Sequence, residues 1–313
     1  MTRTGPRRAA LLLLAGLSLA AAASTPAAAQ SPRERLLVTP QWLASHLRDP
    51  DLVLLHVGDP AAYAREHIPG ARLVALRDVS AAHQHGDGGL MLEMLSGEQL
   101  RERLQALGIS TDSRIVVYYG GDWVSPGTRV VFTLAYAGLG DRTVLLDGGL
   151  EAWKEAGQRV TAEVPPARAG RLGALKVQDL VVDAAWVRRN AATPRVALVD
   201  ARAAAFYDGV QATRDRRGHI PGARSIPFTQ VTDDRLRVKS PAELAALFRA
   251  AGVKPGDTVV GYCHIGQQAT AMLFAARTLG YDVKLYDGSF EDWDARAELP
   301  VETTPARSRG GRR

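Results

Sequence analysis

One stretch of this chain repeats another. His67-Ile68-Pro69-Gly70-Ala71 returns as His219-Ile220-Pro221-Gly222-Ala223, and the run Leu146-Asp147-Gly148-Gly149 ending at Trp153 returns as Tyr286-Asp287-Gly288-Ser289 ending at Trp293. Between these landmarks Ile115–Gly120 parallels Thr258–Cys263. Three landmarks in one order mark an internal duplication, so the chain folds as two copies of a single unit. In the first copy Leu52–Val57, Ile115–Tyr119 and Thr143–Leu146 are short apolar runs suited to buried strands; Val196–Asp200, Thr258–Tyr262 and Val283–Tyr286 match them in the second. Helical spacing lies between them. Leu95–Leu107 opens at Ser96 with Gln99 three residues on and stops at Gly108; Ser240–Ala250 has Pro241 at its first helical position, Glu243 three after Ser240, and Gly252 beyond its end. Strand–helix alternation with continuous apolar strands predicts an α/β fold of two tandem domains. Each is a mostly parallel sheet covered by helices on both faces.

The ends are set apart from this body. Arg3, Arg7 and Arg8 precede an almost unbroken apolar run, Ala9–Ala23, and Ala27-Ala28-Ala29 offers a small-residue cleavage site. This is the three-part pattern of an export signal over residues 1–29. The run is shorter than the roughly twenty residues a membrane-spanning helix needs. Arg7-Arg8 is a poor twin-arginine signal, so general secretion to the periplasm is the expected route, leaving a mature protein with no membrane segment. The folded halves are expected at 36–160 and 176–303, joined by a Pro- and Gly-containing linker at 161–175 and followed by a basic tail at 304–313. The net charge of +6 sits in these ends: three arginines belong to the signal and four to the tail (Arg307, Arg309, Arg312, Arg313), leaving the body near neutral. A nucleic-acid partner is therefore not expected, because its basic footprint belongs on a folded face.

The chain holds one cysteine, Cys263. No intramolecular disulfide and no cysteine zinc cage are possible. Cys263 stands at the end of an apolar strand run, and Gln268–Leu279 reads as a helix, so Cys263–Gln267 is a tight strand-to-helix turn. Ligands of open α/β sheets bind at strand carboxyl ends, and a helix N-terminus offers unpaired N–H groups and partial positive charge. A thiol held there is expected to ionise below its free value near 8.5, and the same N–H groups suit an anionic donor.

Together the duplicated His-Ile-Pro-Gly-Ala, the Asp-Gly-Gly/Ser segments ending in Trp, and the strand–cysteine–loop–helix resemble the tandem-domain rhodanese family, the thiosulfate and 3-mercaptopyruvate sulfurtransferases. The resemblance runs from about Leu37 to Thr303. It implies a cysteine-free first domain, with Gly120 standing where Cys263 stands in the second, and a catalytic second domain in which Cys263 carries sulfur as a persulfide without a cofactor or metal. The loop Cys263-His264-Ile265-Gly266-Gln267-Gln268-Ala269 keeps the family's glycine and alanine at Gly266 and Ala269, while His264 and Ile265 match neither donor class. By the same resemblance Arg202 of Asp200-Ala201-Arg202 binds the donor beside the loop residues, and Asp200 supports the site. The first domain reads His56-Val57-Gly58 there, without the arginine. The implied partners are a small anionic sulfur donor and a thiophilic acceptor such as cyanide or a thiol, with thiosulfate slightly preferred, acting on a monomer.

Two other readings compete. A phosphatase or arsenate reductase of the same fold needs a longer loop closed by arginine, and no arginine follows Cys263 before Arg277. A non-catalytic sulfur carrier fed by a partner protein needs no small donor at all. His67 and His219, present in both copies, read as structural rather than catalytic. Trp153 and Trp293 read as packing residues, His83 and His85 as a solvated loop rather than a metal site, and Asp122 and Trp123, in the cysteine-free loop of the first domain, as candidates to line the cleft between the domains.

Overall fold

The apolar runs become strands, and their alternate residues face two different cores. The computed structural model describes residues 1–2, 30–81, 89–121 and 123–304. Most of the signal, the tail beyond 304, His83, His85 and Asp122 lie outside the described residues. The first unit runs β1 (Leu37–Val38), α1 (Pro40–His46), β2 (Leu52–Val57), α2 (Pro60–Arg65), β3 (Arg72–Val74), α3 (Gly97–Ala106), β4 (Arg114–Tyr119), α4 (Ser125–Leu134), β5 (Thr143–Leu146) and α5 (Gly149–Glu155). The second runs β6 (Val181–Val182), α6 (Ala184–Asn190), β7 (Val196–Asp200), α7 (Ala204–Tyr207), β8 (Arg224–Ser225), α8 (Pro241–Ala250), β9 (Thr258–Tyr262), α9 (Gln268–Thr278), β10 (Asp282–Tyr286) and α10 (Ser289–Asp294). The strand orders are β1-β5-β4-β2-β3 and β6-β10-β9-β7-β8, with the strands of each sheet paired in parallel.

Helices cover both faces of each sheet, as the unbroken apolar strands require. On the outer face of the first unit Leu54, Val116 and Tyr118 pack with Leu43 of α1 and Trp153 of α5. In the second, Leu198, Val260 and Tyr262 pack with Val187 of α6 and Trp293 of α10. The tryptophans are packing residues, their indole N–H groups donating to the Arg159 and Pro300 carbonyls. On the inner faces Val53, Leu55, Ile115 and Val117 join α3 and α4, Ala197, Val199 and Val259 join α8 and α9, and all of these form one continuous core. Each fully buried leucine or valine in it contributes about 1.5–3 kcal/mol. Both capping boxes form, Ser96 with Gln99 and Ser240 with Glu243.

The two units are laced together symmetrically. The Thr128 and Thr270 hydroxyls, on α4 and α9, lie 3.0 Å apart. Each unit also sends a loop over the strand ends of the other: Met94 N–H donates to Asp287 at 2.7 Å, and Val238 N–H donates to Asp147 at 2.8 Å. Leu92 and Leu236 in those loops share left-handed backbone, φ 56° and 58°. Residues 162–180 carry no regular element and run back over the first unit, where Gly170 N–H donates to the Gln105 carbonyl and Gln178 N–H to the Tyr136 carbonyl.

Candidate active site

Strand β9 ends at Tyr262, which places Cys263 at the carboxyl edge of the second sheet, 1% exposed. The loop closes around its thiol, with the backbone N–H groups of Ile265, Gly266, Gln268 and Ala269 directed at it. Gly266 makes the curl possible with φ +78°; a side chain there would also strike the Asp287 carbonyl and Arg129. The loop backbone is tied from behind. Cys263 N–H donates to Ser289 Oγ at 3.2 Å, and Phe290 and Glu291 N–H donate to the Cys263 and His264 carbonyls at 3.0 Å. The sequence led us to expect a thiol that ionises below its free value. Here burial is the larger effect and pushes the Cys263 thiol up, while the four N–H groups oppose it. Gln268 and Ala269 are the helix-terminus donors expected from the sequence, Ile265 and Gly266 belong to the loop before it, and the dehydration that encloses all four outweighs them.

Arg202 also differs from a free donor-binding fork. It is 1% exposed and clasps Asp200 through Nε and Nη2 (3.0 and 2.5 Å), while Nη2 also donates to the Gly218 carbonyl at 2.7 Å and Nη1 to Thr213 Oγ1 at 3.0 Å. Its guanidinium lies 3.9 Å over the Phe290 ring. Its charge reaches Cys263, while most of its hydrogen bonds are spent within the protein. His264 Nδ1 lies 3.0 Å from Thr213 Oγ1, and the ring meets Phe206 edge-on. Burial, then the Arg202 charge, lower the His264 pKa to about 4, so the ring is neutral at neutral pH. Gln267 donates to Ser125 of the first unit at 3.2 Å, whereas Gln268 Oε1 is buried without a partner. Thus Asp200, Arg202, Cys263, His264 and the Ile265–Ala269 turn converge on one place.

Several residues at this place were not read from the sequence. His219 follows Tyr207 by twelve residues, while His67 follows Tyr63 by only four. The extra residues of the second copy form a strap beside the cysteine loop, bringing Thr213 to His264 and Arg214 to Glu291. That difference in spacing was the available signal. From the first unit, Met91 N–H reaches Glu291 Oε2 at 2.8 Å. Trp123, which the sequence did offer as a lining residue of the cleft, lies in the loop after β4 with its ring 5.4 Å from Phe228. His67 and His219 stack on Tyr63 and Tyr207 and bond the carbonyls of those tyrosines at 2.7 and 2.8 Å, which fixes the turns.

In the first unit the equivalent place is filled. A Cβ built on Gly120 would fall 2.2 Å from Cε1 of His56, so this imidazole occupies the volume that the cysteine side chain has in the other copy. His56 is fully buried with neither ring nitrogen hydrogen-bonded. Burial, then the charge of His67, lower its pKa to about 4. In the unfolded chain the ring titrates near 6.5, so above that pH both states are neutral and stability is unaffected. As pH falls from 6.5 toward 4 the unfolded chain gains a proton the fold refuses, costing about 1.4 kcal/mol per pH unit. The urea midpoint is expected to drop over this window, and His56→Leu to flatten the drop. An unchanged slope in the variant would mean that His56 is protonated in the fold.

A model of the Rhodanese-like domain matches residues 39–156 and again 183–296. A Pseudomonas aeruginosa protein named "Probable 3-mercaptopyruvate sulfurtransferase" is 36% identical over 282 residues, covering 85% of this chain and 98% of its own. A second protein of that organism, "Thiosulfate sulfurtransferase", is 29% identical, with 85% and 97% covered. Among solved structures, that of YnjE superposes with a TM-score of 0.78 at 26% identity, covering 87% of this chain and 69% of that one.

Proposed function

Because the chain belongs to the rhodanese-like family, with two copies of its domain, we propose that it is a sulfurtransferase working through a Cys263 persulfide. The observation that carries this reading is the convergence of four loop N–H groups on the thiol of the second unit. The deprotonated thiol attacks the outer sulfur of thiosulfate, the S–S bond to the sulfonate breaks with its electron pair, and sulfite leaves. With 3-mercaptopyruvate the C–S bond breaks and pyruvate leaves, its carbon taking a proton. The terminal persulfide sulfur, cradled by the N–H groups, is then attacked by cyanide or a thiolate, and Cys263 departs as thiolate. Thr213 orients the neutral His264 ring, and the buried Arg202 supplies positive charge beside the sulfur. Its hydrogen bonds to Asp200, Thr213 and Gly218 support a role in holding the loop's surroundings rather than gripping the donor with its whole fork.

Thiocyanate formation from cyanide with each donor in turn tests the reading. Turnover with purified protein alone supports the enzyme, and none with either donor favours a carrier fed by a partner. The chain is further proposed to be exported to the periplasm by general secretion and to act there as a monomer. The basic start, short apolar run and Ala27-Ala28-Ala29 support export, and among the described residues no helix is long and apolar enough to cross a membrane. A periplasmic protein whose sequence begins at Gln30 is the expected finding; cytoplasmic protein retaining residues 1–29 would refute it.

A further inference from the structure

Helix α4 lies between its own sheet and α9, and nearly all of it is buried, including an arginine. Pairing Thr128 with Thr270 and Phe132 with Phe274 sets Arg129 against Ala271 of the second copy. Alanine therefore meets the packing need at this point of the repeat, whereas a fully buried guanidinium is costly unless its hydrogen bonds are satisfied. Arg129 is 0% exposed on its side chain; its Nε has no partner among the described residues, and the hydrogen bonds of its two Nη groups go mainly to the other unit. Nη1 donates to Asp287 Oδ1 at 2.9 Å and to the Gly266 carbonyl at 3.1 Å, and Nη2 donates to the Leu92 carbonyl.

The Gly266 carbonyl matters because of where it could otherwise point. Glycine turns between backbone conformations at little cost, so the peptide after Gly266 is the link of the cysteine loop most easily reversed. That peptide lies between the Gly266 N–H before it and the Gln268 and Ala269 N–H groups after it, all directed at the thiol, so a rotation there would turn these donors away from a sulfur anion. Arg129 holds the Gly266 oxygen outward with a charge-assisted hydrogen bond, and Asp287 holds Arg129. We propose that Arg129, contributed by the cysteine-free unit, is a positioning residue of the sulfur-transfer site: by fixing the Gly266 carbonyl across the domain boundary it keeps the loop's N–H groups on Cys263. The first unit is thereby a working part of the second unit's site. The inference rests on Cys263 being the nucleophile, as proposed above.

The test uses the full chain as wild type, Arg129→Lys and Arg129→Met. It reads the pH at which iodoacetamide alkylation of Cys263 reaches half its plateau rate, with thiocyanate turnover alongside. Asp200, Arg202 and His264 on the second unit's side and Asp287, Glu291 and Arg214 on the cleft side stay unchanged, and Arg129→Lys also keeps the cation, so a shift in that variant reports the loop rather than the lost charge. In Arg129→Met the half-plateau pH is expected to rise by about one unit, a roughly tenfold loss of thiolate at fixed pH, with a matching fall in kcat. Arg129→Lys, whose ammonium lacks the planar fork, is expected between the two. Looser packing alone would change the plateau and not the half-plateau pH. A folded Arg129→Met with the wild-type profile overturns the proposal; if that variant does not fold, a wild-type profile in Arg129→Lys overturns it and a raised one supports it. Alkylation does not require sulfur transfer, so the alkylation readings stand even if wild-type turnover with both donors is absent.

Discussion

Cys263→Ser is expected to leave a folded protein with thiocyanate formation reduced by at least about three orders of magnitude, the scale on which removal of a covalent nucleophile acts. Serine fills nearly the same volume at a site that is 1% exposed and can take up the bond from the main chain to Ser289 Oγ, so the fold has no reason to change. The chemistry does. A hydroxyl in this dehydrated loop stays protonated, and an oxygen–sulfur link has none of the lability of the persulfide that must release sulfur to the acceptor. Intact mass gives a second reading: wild type incubated with thiosulfate gains one sulfur atom, the variant none. Turnover above about 1% of wild type in the serine variant would move the nucleophile elsewhere, and the chain has no other cysteine to receive it.

Removing Asp200 is expected to have the largest effect on stability. Asp200 is fully buried, and its carboxylate is clasped by the Arg202 guanidinium while also accepting the Arg202 main-chain N–H at 2.9 Å. Asp200→Ala leaves a buried, uncompensated cation, and breaking one side of such a pair costs about 3–5 kcal/mol. The denaturant midpoint should fall accordingly. The double variant Asp200→Leu with Arg202→Met removes both charges together and is expected to regain much of that loss, because apolar replacement of a whole buried pair is often close to neutral. It is not expected to regain turnover, since the charge beside Cys263 is gone. An Asp200→Ala midpoint equal to wild type would mean that Arg202 finds another anion or water in the fold.

The repeat made much of this legible in advance. Apolar runs such as Leu52–Val57 and Thr258–Tyr262 match the observed strands because strands buried on both faces leave a continuous signal. The capping residues placed the starts of α3 and α8, and the cysteine at a strand end marked the site. Comparing copies also exposed the empty first domain at Gly120 and Gly58. Strands β1 and β6, two residues each, are too short for any periodicity to register. The raised thiol and the engaged Arg202 were missed for a different reason: both depend on enclosure, which arises only when distant segments meet. Met91 and Arg129 lie more than 130 positions from the loop and carboxylates they touch, and no local pattern carries such a pairing. His56 was seen only as part of a triplet that lacks the arginine; that its ring would take the thiol's place required the Gly120 backbone in three dimensions.

The continuous inner core has a consequence for the order of folding when a chain exported as proposed above emerges, first unit first. When the first unit has emerged, the face of α4 that will meet α9 still has nothing to cover it, and Asp147 still lacks the Val238 N–H. The second unit, for its part, has no Arg129 or Met94 unless the first is already folded beside it. Docking is thus the step that completes both halves. A chain that has emerged only as far as α8 exposes a sticky apolar helix, and the cysteine loop gains its outside clamp only once Asp287 has followed.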